Sequence, residues 1–95
     1  MTLIRVHLHI KGHVQGVGYR ANMRRLASQL DLKGWVRNMP NGDVEAVVQG
    51  SEEMVERLIQ WCHRGPTGAH VTDVCVQHET PKGELHRFTI RRTWT

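Results

Sequence analysis

Apolar and polar residues alternate strictly along residues 3–11. A period of two gives a strand one apolar and one polar face, so this segment predicts a β-strand that is buried on one side only. The apolar positions are Ile4, Val6, Leu8 and Ile10, and the polar positions are Arg5, His7, His9 and Lys11.

Along residues 19–32 the apolar positions change to helical spacing. They recur at i, i+3, i+4 and i+7 and form one stripe, which consists of Met23, Leu26, Ala27 and Leu30. Such a stripe predicts an amphipathic helix, and Gly34 is its predicted stop.

Two β-rich runs, residues 34–38 and 43–49, follow the first helix. The linking residues are Met39-Pro40-Asn41-Gly42, and Asn-Gly between two such runs is a strong signal of a hairpin. Ser51 is the predicted cap of a second helix, which ends near Gly65-Pro66. Further strands are predicted over residues 71–77 and 85–91.

This order of elements predicts a single α+β domain over residues 1–95. Two amphipathic helices and four or five strands, each strand polar on one face, fit a ferredoxin-like sandwich. We therefore expect a βαββαβ order plus a short C-terminal strand, in an antiparallel sheet with both helices on one face.

A net charge of +4 favours anionic partners, either nucleic acid or a phosphorylated small molecule. The longest aliphatic run, residues 46–48, is far too short to cross a bilayer, and the N-terminus lacks the apolar block of a signal peptide. We expect a cytoplasmic monomer that does not bind membranes. Cys62 and Cys75 show no disulfide or metal-site spacing, which indicates two reduced thiols.

Three glycines, Gly12, Gly16 and Gly18, stand between the first predicted strand and the first predicted helix, and Arg20 follows them. Glycines let successive N–H groups turn inward, and a helix N-terminus adds partial positive charge, so this segment can form an anion-binding nest. The same glycines could instead serve only a tight turn. The segment matches neither a Walker loop nor a dinucleotide-binding fingerprint.

Several stretches of the chain, in order and at matching spacing, resemble the acylphosphatase family. Gly12-x-Val14-Gln15-Gly16-Val17-x-Tyr19-Arg20 is similar to its first signature. Gly34-Trp35-Val36-Arg37-Asn38 with Asn41-Gly42-x-Val44-Glu45 is similar to its second, and Gly83-Glu84-Leu85 with Phe88-x-Ile90-Arg91 to its last strand. Tyr19 stands where phenylalanine is commoner, and Asn41 where aspartate is usual.

This resemblance implies a ferredoxin-like fold and the hydrolysis of acyl phosphates. It implies that Arg20 supplies a fixed positive charge and that Asn38 orients the attacking water. The backbone amides that it assigns to the substrate phosphate are those of Gln15, Gly16, Val17, Gly18, Tyr19 and Arg20.

So small a set of groups suits an activated phosphate. An acyl phosphate expels a carboxylate, whose conjugate acid has a pKa of roughly 4–5, so no general acid is needed. Phosphoryl transfer then requires mainly positioning and charge stabilisation. We therefore expect no metal and no cofactor, with small-molecule acyl phosphates as substrates and inorganic phosphate as product. Acetyl, carbamoyl, glycolytic and protein aspartyl phosphates all remain open.

Other groups are weaker candidates. His13 could act as a base in the loop, but a solvated side chain is the simpler interpretation. His7 and His9 share a strand face without a third metal ligand. Cys62 is predicted to lie on the apolar side of the second helix, facing the protein core. Arg37 and Asn38 are neighbours in one strand, so Arg37 is predicted to point to the opposite face from Asn38.

Two other classes of function are alternatives. RNA-recognition domains have the same order of elements, but their central strands contain clustered aromatic residues. The predicted strand 43–49 contains no aromatic residue and two acids, so we expect no nucleic-acid binding. The second alternative is an inactive binding module of the same fold, and the presence of Arg20 and Asn38 counts against it.

Overall fold

The observed order of helices and strands is βαββαβ plus a fifth strand near the C-terminus, as the sequence predicts. A computed structural model describes residues 2–83 and 85–92. Glu84, which belongs to the last stretch of the resemblance, lies outside the described residues, as do residues 1 and 93–95. The elements are β1 (Leu3–His13), α1 (Tyr19–Gln29), β2 (Lys33–Asn38), β3 (Val44–Ser51), α2 (Glu52–Arg64), β4 (His70–Glu79) and β5 (Phe88–Ile90).

The five strands form one sheet in the order β4-β1-β3-β2-β5. Strand β1 is the second of the five, antiparallel to its neighbours β3 and β4, and the central strand β3 is also antiparallel to β2. The alternation in β1 is confirmed, since Val6, Leu8 and Ile10 are fully buried. Both helices pack on that apolar face and contribute Met23, Ala27, Val55, Leu58 and Cys62 to the core.

The sheet is mixed, so the expectation of a wholly antiparallel sheet was wrong. Strand β5 pairs with β2 in parallel, with Gly34 opposite Phe88. The reason is that β4 ends at the same end of the sheet at which β2 begins. The connection stays at that end, where the Gln49 amide donates to the Lys82 carbonyl at 2.7 Å and accepts from the Lys82 N–H at 3.0 Å. Strand β5 therefore starts beside the start of β2.

Two details of the helix ends also differ from the prediction. Helix α1 ends at Gln29, before Gly34, because Asp31 adopts a left-handed φ of 57° and the Leu32 N–H donates to the Ala27 carbonyl at 2.8 Å. Ser51 is the N-cap of α2, but its side chain makes no capping hydrogen bond. Neither helix of the described chain is long and apolar enough to span a membrane.

Candidate active site

The loop between β1 and α1 depends on two glycines with positive φ. Gly16 has a φ of 75° and Gly18, the N-cap of α1, has a φ of 80°. Both values lie in the left-handed region, which glycine adopts without the steric cost that a Cβ imposes. The Asn22 side chain and its N–H both donate to the Gly18 carbonyl, at 2.8 and 3.0 Å, and hold that carbonyl against the first turn of α1.

The backbone N–H groups of residues 15–20 are unpaired donors. None of them donates a hydrogen bond to any atom of residues 2–83 or 85–92. The first turn of α1 contains no acidic residue, and no side chain caps it. A row of free N–H groups at the positive end of a helix dipole is an arrangement that binds anions.

Tyr19 anchors this loop to the second helix. Its side chain is 1% exposed, its hydroxyl donates to the Cys62 carbonyl oxygen at 2.6 Å, and its ring lies 5.0 Å from that of Trp61. Burial raises the pKa of the Tyr19 hydroxyl far above its usual range. Its side chain is therefore a fixed part of the core, and only its N–H remains available to a ligand.

Arg20 is the nearest cation to these donors along the chain. It is the second residue of α1 and is half-buried, and its guanidinium makes no hydrogen bond or ion pair within the described part of the chain. A guanidinium without a carboxylate partner can offer its planar pair of N–H donors to a phosphate.

Asn38 occupies the last position of β2, opposite Val44 of β3. Its Oδ1 is buried and accepts no hydrogen bond from any residue that the structure describes. An unpaired buried acceptor is unfavourable, so this atom has a strong tendency to bind a donor such as water. Arg37 points to the other face, where its Nε donates to Glu45 at 2.6 Å, as the alternation predicts.

The side chain of Gln15 joins the loop to the β2–β3 hairpin. Its Nε2 donates to the carbonyls of Met39 and Asp43, at 2.8 and 2.9 Å. The unpaired amides of residues 15–20 and the end of β2 at Asn38 are thereby attached to each other. Sequence analysis assigned only the backbone amide of Gln15 and missed this contact, whose sole signal was a polar side chain among glycines and valines.

The histidines are engaged elsewhere or solvated. His7 bonds to Glu45 and His9 to Asp43, each at 2.7 Å, on the open face of the sheet. His13 is exposed, as expected. Within the described residues no three His, Cys, Asp or Glu side chains form a group that could hold a metal ion.

One cavity of the described structure lies away from these groups. It has a volume of about 430 Å³ and is lined by residues at the other end of the sheet, among them Lys33, Gln49 and Ser51. The unpaired N–H groups of residues 15–20 do not line this cavity, and neither do Arg20 and Asn38.

Comparison with known proteins identifies relatives over nearly the whole chain. The sequence model of one family, Acylphosphatase, matches residues 6–90. An acylphosphatase of Trichormus variabilis is 52% identical over 90 residues, which cover 95% of this chain and 88% of that protein.

Solved structures have the same fold. An acylphosphatase from Coxiella burnetii superposes with a TM-score of 0.89 at 34% identity, covering 94% of this chain and 93% of its own. For the acylphosphatase from Bacillus subtilis the TM-score is 0.89 at 31% identity, and the match covers 95% of this chain and 99% of that protein's chain. The likeness therefore extends to sequence, fold and length together.

Proposed function

Because this chain belongs to the acylphosphatase family, we propose that it hydrolyses the carboxyl–phosphate anhydride of acyl phosphates, giving a carboxylate and inorganic phosphate. The observation that carries the proposal is the row of unpaired N–H groups over residues 15–20, beside Arg20 and attached to the strand end at Asn38. Donors of this kind fit the oxygens of a phosphate.

The residues have distinct roles in this proposal. The amides of residues 15–20 bind the non-bridging phosphate oxygens, and Arg20 adds a bidentate charged contact that strengthens as charge builds in the transition state. Asn38 accepts a hydrogen bond from the attacking water through Oδ1, an atom that is buried and unpaired among the described residues. The water is thus aligned with the bond that breaks.

The chemistry needs few further groups. The water oxygen forms a bond to phosphorus, the bond from phosphorus to the acyl oxygen breaks, and its electron pair leaves with the carboxylate. A carboxylate is stable without a proton at neutral pH, so no general acid is required. The proton lost by the water passes to a phosphate oxygen of the substrate or to solvent. This balance supports a mechanism without a metal.

We also propose that the protein acts as a cytoplasmic monomer. Among the described residues only two large apolar side chains are exposed, Leu3 at 50% and Val76 at 38%, and they are too few for an obligate interface. Cys62 and Cys75 are not bridged, which suits a reducing compartment.

The test is hydrolysis of benzoyl phosphate in the presence of a chelator, comparing wild type with Asn38→Ala. We expect wild-type turnover that is insensitive to the chelator, and a fall in kcat of about 100-fold or more in the variant because its water is no longer aligned. Inhibition by inorganic phosphate should be retained.

The matched control is Asn41→Ala, the same substitution three residues further along the same hairpin. Within residues 2–83 and 85–92 the Asn41 side chain accepts only from the Asp43 N–H, at 3.0 Å, so this variant should turn over at close to the wild-type rate. Normal turnover by Asn38→Ala would refute the role of Asn38. No turnover by folded wild type would leave only an anion-binding module.

A further inference from the structure

The two hydrogen bonds of the Gln15 side chain bracket the residue that is proposed to hold the water. Their acceptors are the carbonyls of Met39 and Asp43. Met39 directly follows Asn38, and Asp43 directly precedes Val44, the cross-strand partner of Asn38. Gln15 is therefore attached to both strands of the hairpin, one residue beyond the Asn38–Val44 pair.

These acceptors are rigid because the hairpin bonds also hold them. The Asp43 carbonyl accepts from the Met39 N–H at 2.8 Å, and the Met39 carbonyl accepts from the Gly42 N–H at 3.1 Å. Both hydrogens of the Gln15 amide group are used on this pair of carbonyls. The side chain is thus committed to the hairpin, whereas the backbone N–H of the same residue is one of the unpaired donors.

We propose that Gln15 is a positioning residue. Its side-chain amide sets the distance between Asn38 and the phosphate loop, which is the segment of residues 15–20 that is proposed to bind the substrate phosphate. The inference rests on the proposed function and deepens it. Phosphate and water are held by separate segments, residues 15–20 and the end of β2, and Gln15 is the side chain that hydrogen-bonds one to the other. Loss of its two bonds shifts the water relative to phosphorus without removing a ligand from either.

The first variant is Gln15→Met, which keeps a side chain of similar length and the backbone N–H but has no donor for the two carbonyls. We expect kcat for benzoyl phosphate to fall about 10- to 100-fold, because small misplacements of reacting groups have effects of that size. The inhibition constant of inorganic phosphate should change less than about 3-fold, since every phosphate ligand remains.

A double-mutant cycle separates positioning from a general structural effect. If Gln15 acts through Asn38, then Gln15→Met adds nothing once the Asn38 side chain is absent. The variant Gln15→Met/Asn38→Ala should therefore be no slower than Asn38→Ala alone. Two independent defects would instead multiply.

Gln49 provides a matched control, because its amide group also bonds to a backbone segment, at Lys82, at the far end of the same sheet. Gln49→Met should lower the stability of the fold and leave kcat unchanged. Gln15→Asn is a second test that does not depend on Gln15→Met folding well. It retains the amide group but is one methylene too short to reach both carbonyls, so it should show the same loss of kcat.

The outcomes are distinguishable. Wild-type inactivity, or normal turnover by Asn38→Ala, overturns the proposed function and this inference together. A slow Asn38→Ala with a fast Gln15→Met overturns only the inference. Multiplying defects in the double variant, or weakening of phosphate inhibition that matches the loss of kcat, also overturns it. A selective loss of kcat that disappears in the Asn38→Ala background supports it.

Discussion

The Tyr19 hydroxyl donates to the Cys62 carbonyl at 2.6 Å, where the helix itself can offer no donor. Four residues after Cys62 stands Pro66, which has no N–H, so the usual helical partner of that carbonyl is missing. The phenol at the start of α1 therefore satisfies a buried acceptor in the last turn of α2. By resemblance to the acylphosphatase family, phenylalanine is the commoner residue here, and phenylalanine has no hydroxyl to make this bond.

We expect Tyr19→Phe to lower the free energy of unfolding by about 1–3 kcal/mol, because the Cys62 carbonyl is left buried without a donor. The ring remains packed against Trp61. Urea denaturation measures the change, and the dependence on urea concentration should keep its slope. Equal stability of the two proteins would mean that water replaces the hydroxyl.

We expect Arg20→Lys to weaken inhibition by inorganic phosphate at least about tenfold, because an ammonium cannot reproduce the planar pair of donors. Titration of the inhibition constant measures the effect. Arg24→Lys, one helical turn further along on an exposed position, is the control and should bind phosphate like wild type. Equal inhibition constants for wild type and Arg20→Lys would remove Arg20 from the proposed site.

We expect Glu45 to stabilise the fold at neutral pH and to lose that effect in acid. Burial alone would raise its pKa, but hydrogen bonds and charge from His7 and Arg37 lower it below the ordinary value of 4.5. As pH falls, the Glu45 carboxylate is therefore protonated in the unfolded chain before it is protonated in the folded protein. The contribution is complete above pH 4.5 and is lost as pH falls through the lowered pKa of the folded protein.

The measurement is the difference in unfolding free energy between wild type and Glu45→Gln, followed from neutral pH to about pH 3. The difference should shrink below pH 4.5. Glu56→Gln is the control at neutral pH, since Glu56 lies exposed on α2 and makes no ion pair with the described residues, and this variant should unfold with nearly the free energy of wild type. A Glu45→Gln difference that does not depend on pH would contradict the assignment.

The two thiols should differ sharply in reactivity. Burial raises the pKa of the Cys62 thiol to about 12, whereas Cys75 is exposed and donates to Asp73 at 3.3 Å, a bond that raises its pKa. We expect a disulfide reagent to label one thiol per native chain and a second only in denaturant. Asp73→Asn should speed the first reaction, and Cys75→Ser should abolish it. Two fast thiols in the native protein would contradict this.

Sequence patterns predicted those parts of the fold that are determined by residues close together in the chain. The alternation in β1 gave its buried face, and Asn41-Gly42 gave the hairpin, because both signals act within a few residues. The partner of β5 could not be predicted, since it depends on the path of residues 80–87 and on the contact between Gln49 and Lys82, which are distant in sequence.

The candidate site divides in the same way. Glycine spacing and the resemblance to acylphosphatases pointed to the loop, to Arg20 and to Asn38. The side-chain bonds of Gln15 were not predictable, because a single glutamine has no periodicity and its acceptors are backbone carbonyls 24 and 28 residues away. The unpaired Asn38 Oδ1 likewise emerges only from packing in three dimensions.

Because the amide ligands of the proposed phosphate loop belong to the main chain, most amino-acid substitutions do not remove them. Proline is the only encoded residue without an N–H, so almost every point substitution within residues 15–20 leaves all the amide ligands in place. At Gly16, an added Cβ would meet no atom within 4 Å apart from its chain neighbours, but the φ of 75° would strain any residue other than glycine. Apart from Arg20, whose guanidinium is itself a proposed ligand, substitutions in this segment would therefore alter the shape of the site before they removed a ligand.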